Sequence, residues 1–229
     1  PHNACALCRE PGVFWSRKPW CEKCEGNMAE SRAAFPVCDR CGKYLLEGGD
    51  LCADCREETP PFSIARAVGP YENEFKIAIK ILKFLCRRYI ALRMGEMMAE
   101  VVRREPRFWP LDLVVPVPIS QANLLERGFN QSEVLARYVA RSLKLPRATD
   151  LLVRVKETPS QRELSRRERE ENLRQAFRVT EPERVKGKSV LLVDDVYTTG
   201  STVRECAHAL LAAGAIRVAV ITWATGKGY

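Results

Sequence analysis

Val190-Leu191-Leu192-Val193-Asp194-Asp195-Val196-Tyr197-Thr198-Thr199-Gly200-Ser201-Thr202 is the stretch on which the reading of the fold turns. Four apolar residues run into two adjacent aspartates, and a small hydroxyl-rich turn around Gly200 then opens a helical pattern. Such a run is expected of a buried parallel strand that delivers a ligand site at its carboxyl end. Backbone N–H groups from Thr198 to Thr202, with the hydroxyls of Thr198, Thr199, Ser201 and Thr202, would face a helix N-terminus, where unpaired donors and partial positive charge suit a phosphate monoester. Gly200 allows close approach and a conformation that a side chain would forbid. If the pleat continues, Asp194 and Asp195 point in opposite directions. Carboxylates are almost never buried unpaired, and vicinal sugar hydroxyls, directly or through Mg²⁺, are natural partners for them. No Gly-Lys-Ser/Thr follows, so the loop is not a Walker A loop.

The thirteen residues resemble, without a gap, the signature of type I phosphoribosyltransferases, enzymes that use 5-phosphoribosyl 1-diphosphate (PRPP). The alternative reading is an ordinary strand, N-cap and helix with two solvated aspartates.

Working outward, the amino-terminal side carries eight of the ten cysteines in four Cys-x-x-Cys pairs: Cys5/Cys8, Cys21/Cys24, Cys38/Cys41 and Cys52/Cys55. Twelve residues separate the first two pairs and ten the last two. This spacing predicts two consecutive zinc ribbons, each a closed Cys₄ tetrahedral site, so the two Zn²⁺ ions are structural. Sequential pairing closes the smaller loops and is preferred over a crossed arrangement. Gly42 suits the left-handed turn of a knuckle, and Pro11-Gly12 and Gly48-Gly49 supply turns between pairs. Disulfides would need a secretory signal, which Pro1-His2-Asn3 does not open, and a redox role would need one pair in a βαβ context. Cys86 and Cys206 fall in helical patterns as small core residues.

Residues 1–58 hold eight Lys/Arg against ten Asp/Glu, leaving 29 against 19 in residues 59–229. The formal charge of +8 therefore belongs to the second part, which is where polyanionic partners, phosphates or nucleic acid, are expected. No run of about 18 apolar residues exists, so no membrane span is predicted, and the chain is read as cytoplasmic.

Thr59-Pro60-Pro61 marks the boundary between a 1–58 double zinc ribbon and a 59–229 domain. Ile64 to Val68 predicts a short strand up to Pro70. Two amphipathic helices follow, around Phe75–Leu85, where the tight apolar spacing also permits a strand, and around Ala91–Arg104, as a cap or packing layer in residues 59–105, ahead of a sheet core in 106–229. Leu111–Val115 is predicted as a strand closed by Pro116-Val117-Pro118, because proline cannot continue a central ladder. Ile119–Gly128 reads as a loop leading through Arg127-Gly128-Phe129-Asn130-Gln131 into a helix at Ser132–Leu143. Short strands are expected near Leu151–Val155 and Phe177–Val179, then a helix over Thr202–Ala213 and a last strand over Ile216–Trp223. The alternation predicts an α/β fold with an open parallel sheet and helices on both faces.

Four Cys-x-x-Cys pairs, Ile81-Leu82-Lys83-Phe84, Val115-Pro116-Val117-Pro118, Arg127-Gly128-Phe129-Asn130-Gln131 and Val190–Thr202 occur in the order seen in the ComF family, which the chain resembles over nearly its whole length. These are bacterial double zinc ribbon, type I phosphoribosyltransferase-like proteins, including competence proteins implicated in DNA uptake. The resemblance implies that PRPP and Mg²⁺ bind. Asp194 and Asp195 would hold the ribose, Thr198, Thr199, Gly200, Ser201 and Thr202 the 5-phosphate, and Arg127 with the loop near Pro118 the diphosphate. It also implies a closing lid in residues 156–174, with Gln161, Arg169 and Asn172 as candidates. An unidentified nitrogen acceptor would take the phosphoribosyl group, and no general base is evident. Single-stranded DNA and DNA-uptake proteins are the alternative partners, with PRPP a regulator or relic. Unlike the family pattern, Gln121–Glu126 has no basic residue. Aromatic residues are sparse and form no stacking platform recognisable in sequence.

Overall fold

A computed structural model describes residues 4–11, 18–85, 88–155 and 175–228, excepting the side chains of residues 85 and 88. In chain order the elements are α1 (Glu22–Ala33), β1 (Tyr44–Leu45), α2 (Ala53–Glu57), β2 (Ala65–Pro70), α3 (Asn73–Leu85), α4 (Arg88–Arg104) and β3 (Leu113–Pro116). Then come α5 (Gln121–Arg127), α6 (Gln131–Leu143), β4 (Leu152–Arg154), β5 (Phe177–Val179), β6 (Ser189–Tyr197), α7 (Ser201–Ala212), β7 (Arg217–Thr225) and β8 (Lys227–Gly228).

The central sheet runs β2-β7-β6-β3 with every pairing parallel. β6 is interior, and its apolar run serves both faces. Leu191 and Val193 join one buried cluster with α3, α4 and α6, while Val190 and Leu192 join the other with α7 and the antiparallel β4-β5 pair. Continuous hydrophobicity here is the signature of a strand covered on both sides.

Proline behaves as an edge residue at both borders of the sheet. Pro116 is the last residue of β3, opposite Val193, so the strand closes at the proline as predicted. On its outer side β3 makes an isolated bridge from Val114 to Arg147, and Pro116 lies past that bridge, so its missing N–H costs no ladder bond. Pro70 ends β2, the other edge.

The two Ile- and Met-rich helices form the packing layer. Phe75, Ala78, Ile79 and Leu82 of α3 and Ile90, Met94, Met98 and Val102 of α4 are buried at helical spacing. α4 crosses α6 at Gly95, where a Cβ would lie 2.4 Å from the Tyr138 Cβ. Among the described residues, no helix is long and apolar enough to cross a membrane.

Candidate ligand site and metal centres

Both aspartates at the carboxyl end of β6 are buried, at 8% and 7% exposure, and both have protein partners. Asp194 Oδ1 accepts the Ser132 hydroxyl at 2.8 Å and the Asp195 N–H at 2.8 Å. Asp195 Oδ1 accepts the Val196 N–H at 2.8 Å, and its Oδ2 accepts from Lys83 Nζ at 2.8 Å and Gln131 Nε2 at 3.3 Å. Burial, and then the charge of Asp195 beside it, push the Asp194 carboxyl well above the ordinary carboxylate range. Burial acts in the same direction on Asp195, but the Lys83 ammonium and hydrogen bonds from Asp194 and the Val196 N–H together outweigh it and hold that carboxyl below its usual value. The pair is thus driven apart, Asp194 toward the protonated form and Asp195 toward carboxylate. Two carboxyls make a hard oxygen donor set of the kind that suits Mg²⁺ bound together with substrate phosphates and water.

The Arg127-Gly128-Phe129-Asn130-Gln131 element is a corner between two helices. Residues 121–127, read from sequence as loop, form α5, capped by the Ser120 hydroxyl accepting from the Asn123 N–H at 3.2 Å. The polar run Ser-Gln-Ala-Asn hides a Ser N-cap, and α5 buries none of its residues, so no apolar periodicity reveals it. Gly128, at φ 76°, ends α5, and Asn130 caps α6 through its side-chain oxygen, which accepts the Ser132 N–H at 3.0 Å. The Asn130 amide also donates to Val117 O at 3.0 Å, fixing the chain just before half-buried Pro118. Arg127 Nη1 donates to Gln131 Oε1 at 2.9 Å, so an Arg127–Gln131–Asp195 chain links the corner to the acidic pair. The first turn of α6 thereby serves both aspartates, through Gln131 and Ser132.

One residue beyond Tyr197, the chain makes the turn to α7. Gly200 is the N-cap at φ 83°, and a Cβ there would fall 2.2 Å from the Tyr197 hydroxyl, so both conformation and space require glycine. Gly200 has no side chain to cap α7, and the Thr199 hydroxyl accepts the Ser201 N–H at 3.4 Å. The Thr199 and Ser201 hydroxyls lie 2.8 Å apart, Ser201 is buried, and Thr198 is exposed. A helix N-terminus with a glycine N-cap and clustered hydroxyls forms an anion-accepting end. Gln161, Arg169 and Asn172 lie outside the described residues.

The cysteines gather as sequential tetrads, Cys5/Cys8/Cys21/Cys24 and Cys38/Cys41/Cys52/Cys55, with each group's sulfurs within 4.8 Å of one another. Sulfur separations include 3.8 Å for Cys5–Cys24, 3.8 Å for Cys8–Cys21 and 3.6 Å for Cys41–Cys52. Four thiolates at about 2.3 Å from a tetrahedral Zn²⁺ would stand about 3.8 Å apart, so either group could hold one. The second pair of each tetrad sits at a helix start, with Cys21 the N-cap of α1 and Cys52 that of α2. Gly42 takes φ 74°, where a Cβ would strike Ala65 O at 2.7 Å. Cys206 is buried in α7 as core, whereas Cys86 lies outside the described residues.

Sheet, acidic pair and helix-capping loop define a phosphoribosyltransferase-type α/β fold preceded by two four-cysteine groups. The Phosphoribosyl transferase domain family matches residues 130–228. The chain is 34% identical over 219 residues to the DNA utilization protein YhgH of Salmonella typhimurium, covering 94% of each chain. It is 30% identical over 220 residues to competence protein F of Haemophilus influenzae, again covering 94% of each. It belongs to the ComF family. Among solved structures it is similar to the glutamine PRPP amidotransferase of B. subtilis, at TM-score 0.39 and 25% identity, covering 57% of this chain and 25% of that one.

Proposed function

We propose that the chain binds PRPP with Mg²⁺ and transfers the phosphoribosyl group to a nitrogen acceptor with release of diphosphate. The observation that carries this reading is the buried pair Asp194–Asp195, separated by four residues from the Gly200 N-cap of α7. In this reading Asp194 and Asp195 receive the ribose hydroxyls. Thr198, Thr199, Gly200, Ser201 and Thr202 receive the 5-phosphate, and Arg127 with the segment at Pro118 faces the diphosphate. Mg²⁺, when bound with the diphosphate, neutralises charge on the leaving group. The chain's own residues act by positioning and charge complementarity. Each cysteine tetrad holds a structural Zn²⁺, and residues 1–58 and 59–229 are the two units of the chain. Replacing Asp194→Asn together with Asp195→Asn should abolish PRPP binding in calorimetry while zinc content and far-UV circular dichroism stay unchanged. Unchanged PRPP affinity in that variant would overturn the assignment.

A second reading, a single-stranded DNA-binding module, is supported by the outer face of α6 and by the names of the relatives. Two cavities of about 350 and 470 Å³ meet at Tyr138. Arg137, Arg147, Lys18, Arg93 and Arg141 line them against Glu133 and Glu96, with Phe129 and Tyr89 as further aromatic walls. Cations interleaved with rings suit a phosphate backbone and stacked bases, a combination that linear sequence scatters over residues 18–147. Oligonucleotide filter binding at two salt concentrations, with and without PRPP, separates the readings: a flat salt response counts against DNA.

A further inference from the structure

Lys83, in the Ile81-Leu82-Lys83-Phe84 element, has a partner in the site that its sequence context does not reveal. It lies in the last turn of α3, its side chain is 23% exposed, and its Nζ stands 2.8 Å from Asp195 Oδ2. The only other side chain donating to that oxygen among the described residues is Gln131, which is neutral and in turn engaged by Arg127. Lys83 is therefore the direct counter-ion of a buried carboxylate, and burying that carboxylate without a counter-ion would be costly. The diphosphate side of the site is poor in cations, because α5 from Gln121 to Glu126 contributes neither lysine nor arginine.

From these two observations, and resting on the PRPP reading above, we infer that Lys83 is an exchangeable counter-ion that makes the site select diphosphate-bearing ribose phosphates. In the empty site it neutralises Asp195. When ribose hydroxyls take the oxygens of Asp195, the ammonium must find another anion, and a diphosphate at the adjoining anomeric carbon supplies one. Ribose 5-phosphate offers the same hydroxyls and the same 5-phosphate but no second anion, so its binding must either leave Lys83 unpaired or share Asp195 with it. A compact ammonium on a flexible four-carbon stem can make this exchange, whereas the arginine of the Arg127–Gln131 chain is held by a directed hydrogen bond.

The test is calorimetric titration of the full chain with PRPP and, separately, with ribose 5-phosphate, both with Mg²⁺, for the parent and for Lys83→Met, Lys83→Gln and Lys83→Arg. Lys83→Met should weaken PRPP about tenfold to a hundredfold, the range for losing a charged hydrogen bond, while ribose 5-phosphate binds as well as before or better. Lys83→Arg should retain most of the preference. Lys83→Gln keeps a donor for Asp195 without charge; it should behave as Lys83→Met and serves in its place should that variant fail to fold, which circular dichroism and zinc content report. Equal loss of both ligands in the neutral variants, or a preference for PRPP that survives them, overturns the inference and makes Lys83 a structural partner of Asp195. A parent chain that binds neither ligand overturns the PRPP reading itself, and with it this role for Lys83.

Discussion

The two cysteine tetrads share one spacing rule and dock by different physics on opposite faces of the sheet. Cys5 and Cys24 belong to the buried cluster formed with α3, α4 and α6, whereas all four cysteines of the second tetrad belong to the cluster formed with α7 and the β4-β5 pair. The first module attaches mainly through rings. Trp20 packs on Trp223 at 6.3 Å between centroids, Trp223 packs on Phe75 at 5.3 Å, and Met28 of α1 is fully buried. Its Cys8 stays exposed.

The second module attaches through backbone. β1 pairs in parallel with β8, and the Tyr44 N–H donates to Gly226 O at 3.3 Å. The Gly226 N–H in turn donates to Tyr197 O at 2.9 Å, and the Tyr197 ring lies under Gly200. One tetrad thus leans on the helical layer, while the other is hydrogen-bonded into the strand end that carries the candidate phosphate loop. Both tetrads are built from Cys-x-x-Cys pairs able to hold a metal, but the consequences of disrupting either depend on what each module touches.

The sharpest way to break this comparison is to remove one thiolate from each side. Cys41→Ser should unfold the second module, since the binding free energy of a structural metal is folding free energy, and should cost ribose 5-phosphate affinity along with a large fall in Tm. Cys8→Ser should lower Tm less and leave that affinity in place. Zinc content, thermal melts and calorimetry on both variants decide it, and equal loss of affinity would erase the distinction.

Next in size, Trp20→Ala empties a buried ring site and should destabilise the chain by about 3–5 kcal/mol in urea titration, with ligand affinity kept under native conditions.

A smaller effect concerns the ionic side of the second module. Asp39 and Glu105 bind Arg107 at 2.7 and 2.8 Å. The Arg107 hydrogen bond, followed by its charge and that of Arg66, holds Glu105 down at about 2, against an ordinary 4.5, despite partial burial. The folded chain therefore binds fewer protons than the unfolded chain between those values. The contribution of Glu105 is complete above pH 4.5 and is lost as pH falls toward 2. Urea midpoints measured across that window should fall less steeply for Glu105→Gln than for the parent.

Smallest of all, Glu25→Gln on the first module removes ion pairs with Lys18 and Arg93 that are part-exposed, and should cost at most about 1 kcal/mol at low salt.

How much was legible in the chain differs element by element. The cysteine tetrads, the apolar run of β6 and the α3 and α4 helices are written in local spacing, because ligand geometry, two-sided burial and helical periodicity each impose a short-range pattern. α5 escaped because a helix that buries nothing leaves no apolar stripe, whereas the end of β3 at Pro116 was legible because proline cannot continue a ladder. The partners of Asp194 and Asp195 were equally hidden: the sugar hydroxyls expected from motif chemistry are preceded by Ser132, Gln131 and Lys83 of the chain itself.

By itself, then, the sequence determined two four-cysteine groups, a parallel α/β sheet and an acidic strand end running into a glycine-capped helix. Only the tertiary structure decided which face of the sheet each tetrad covers, that aromatic and basic residues far apart in the chain share the face of α6, and that the ammonium of Lys83 rests on Asp195. The physical reason is range. Backbone periodicity and metal geometry act between near neighbours, whereas burial and charge pairing act between residues that only the folded chain brings together.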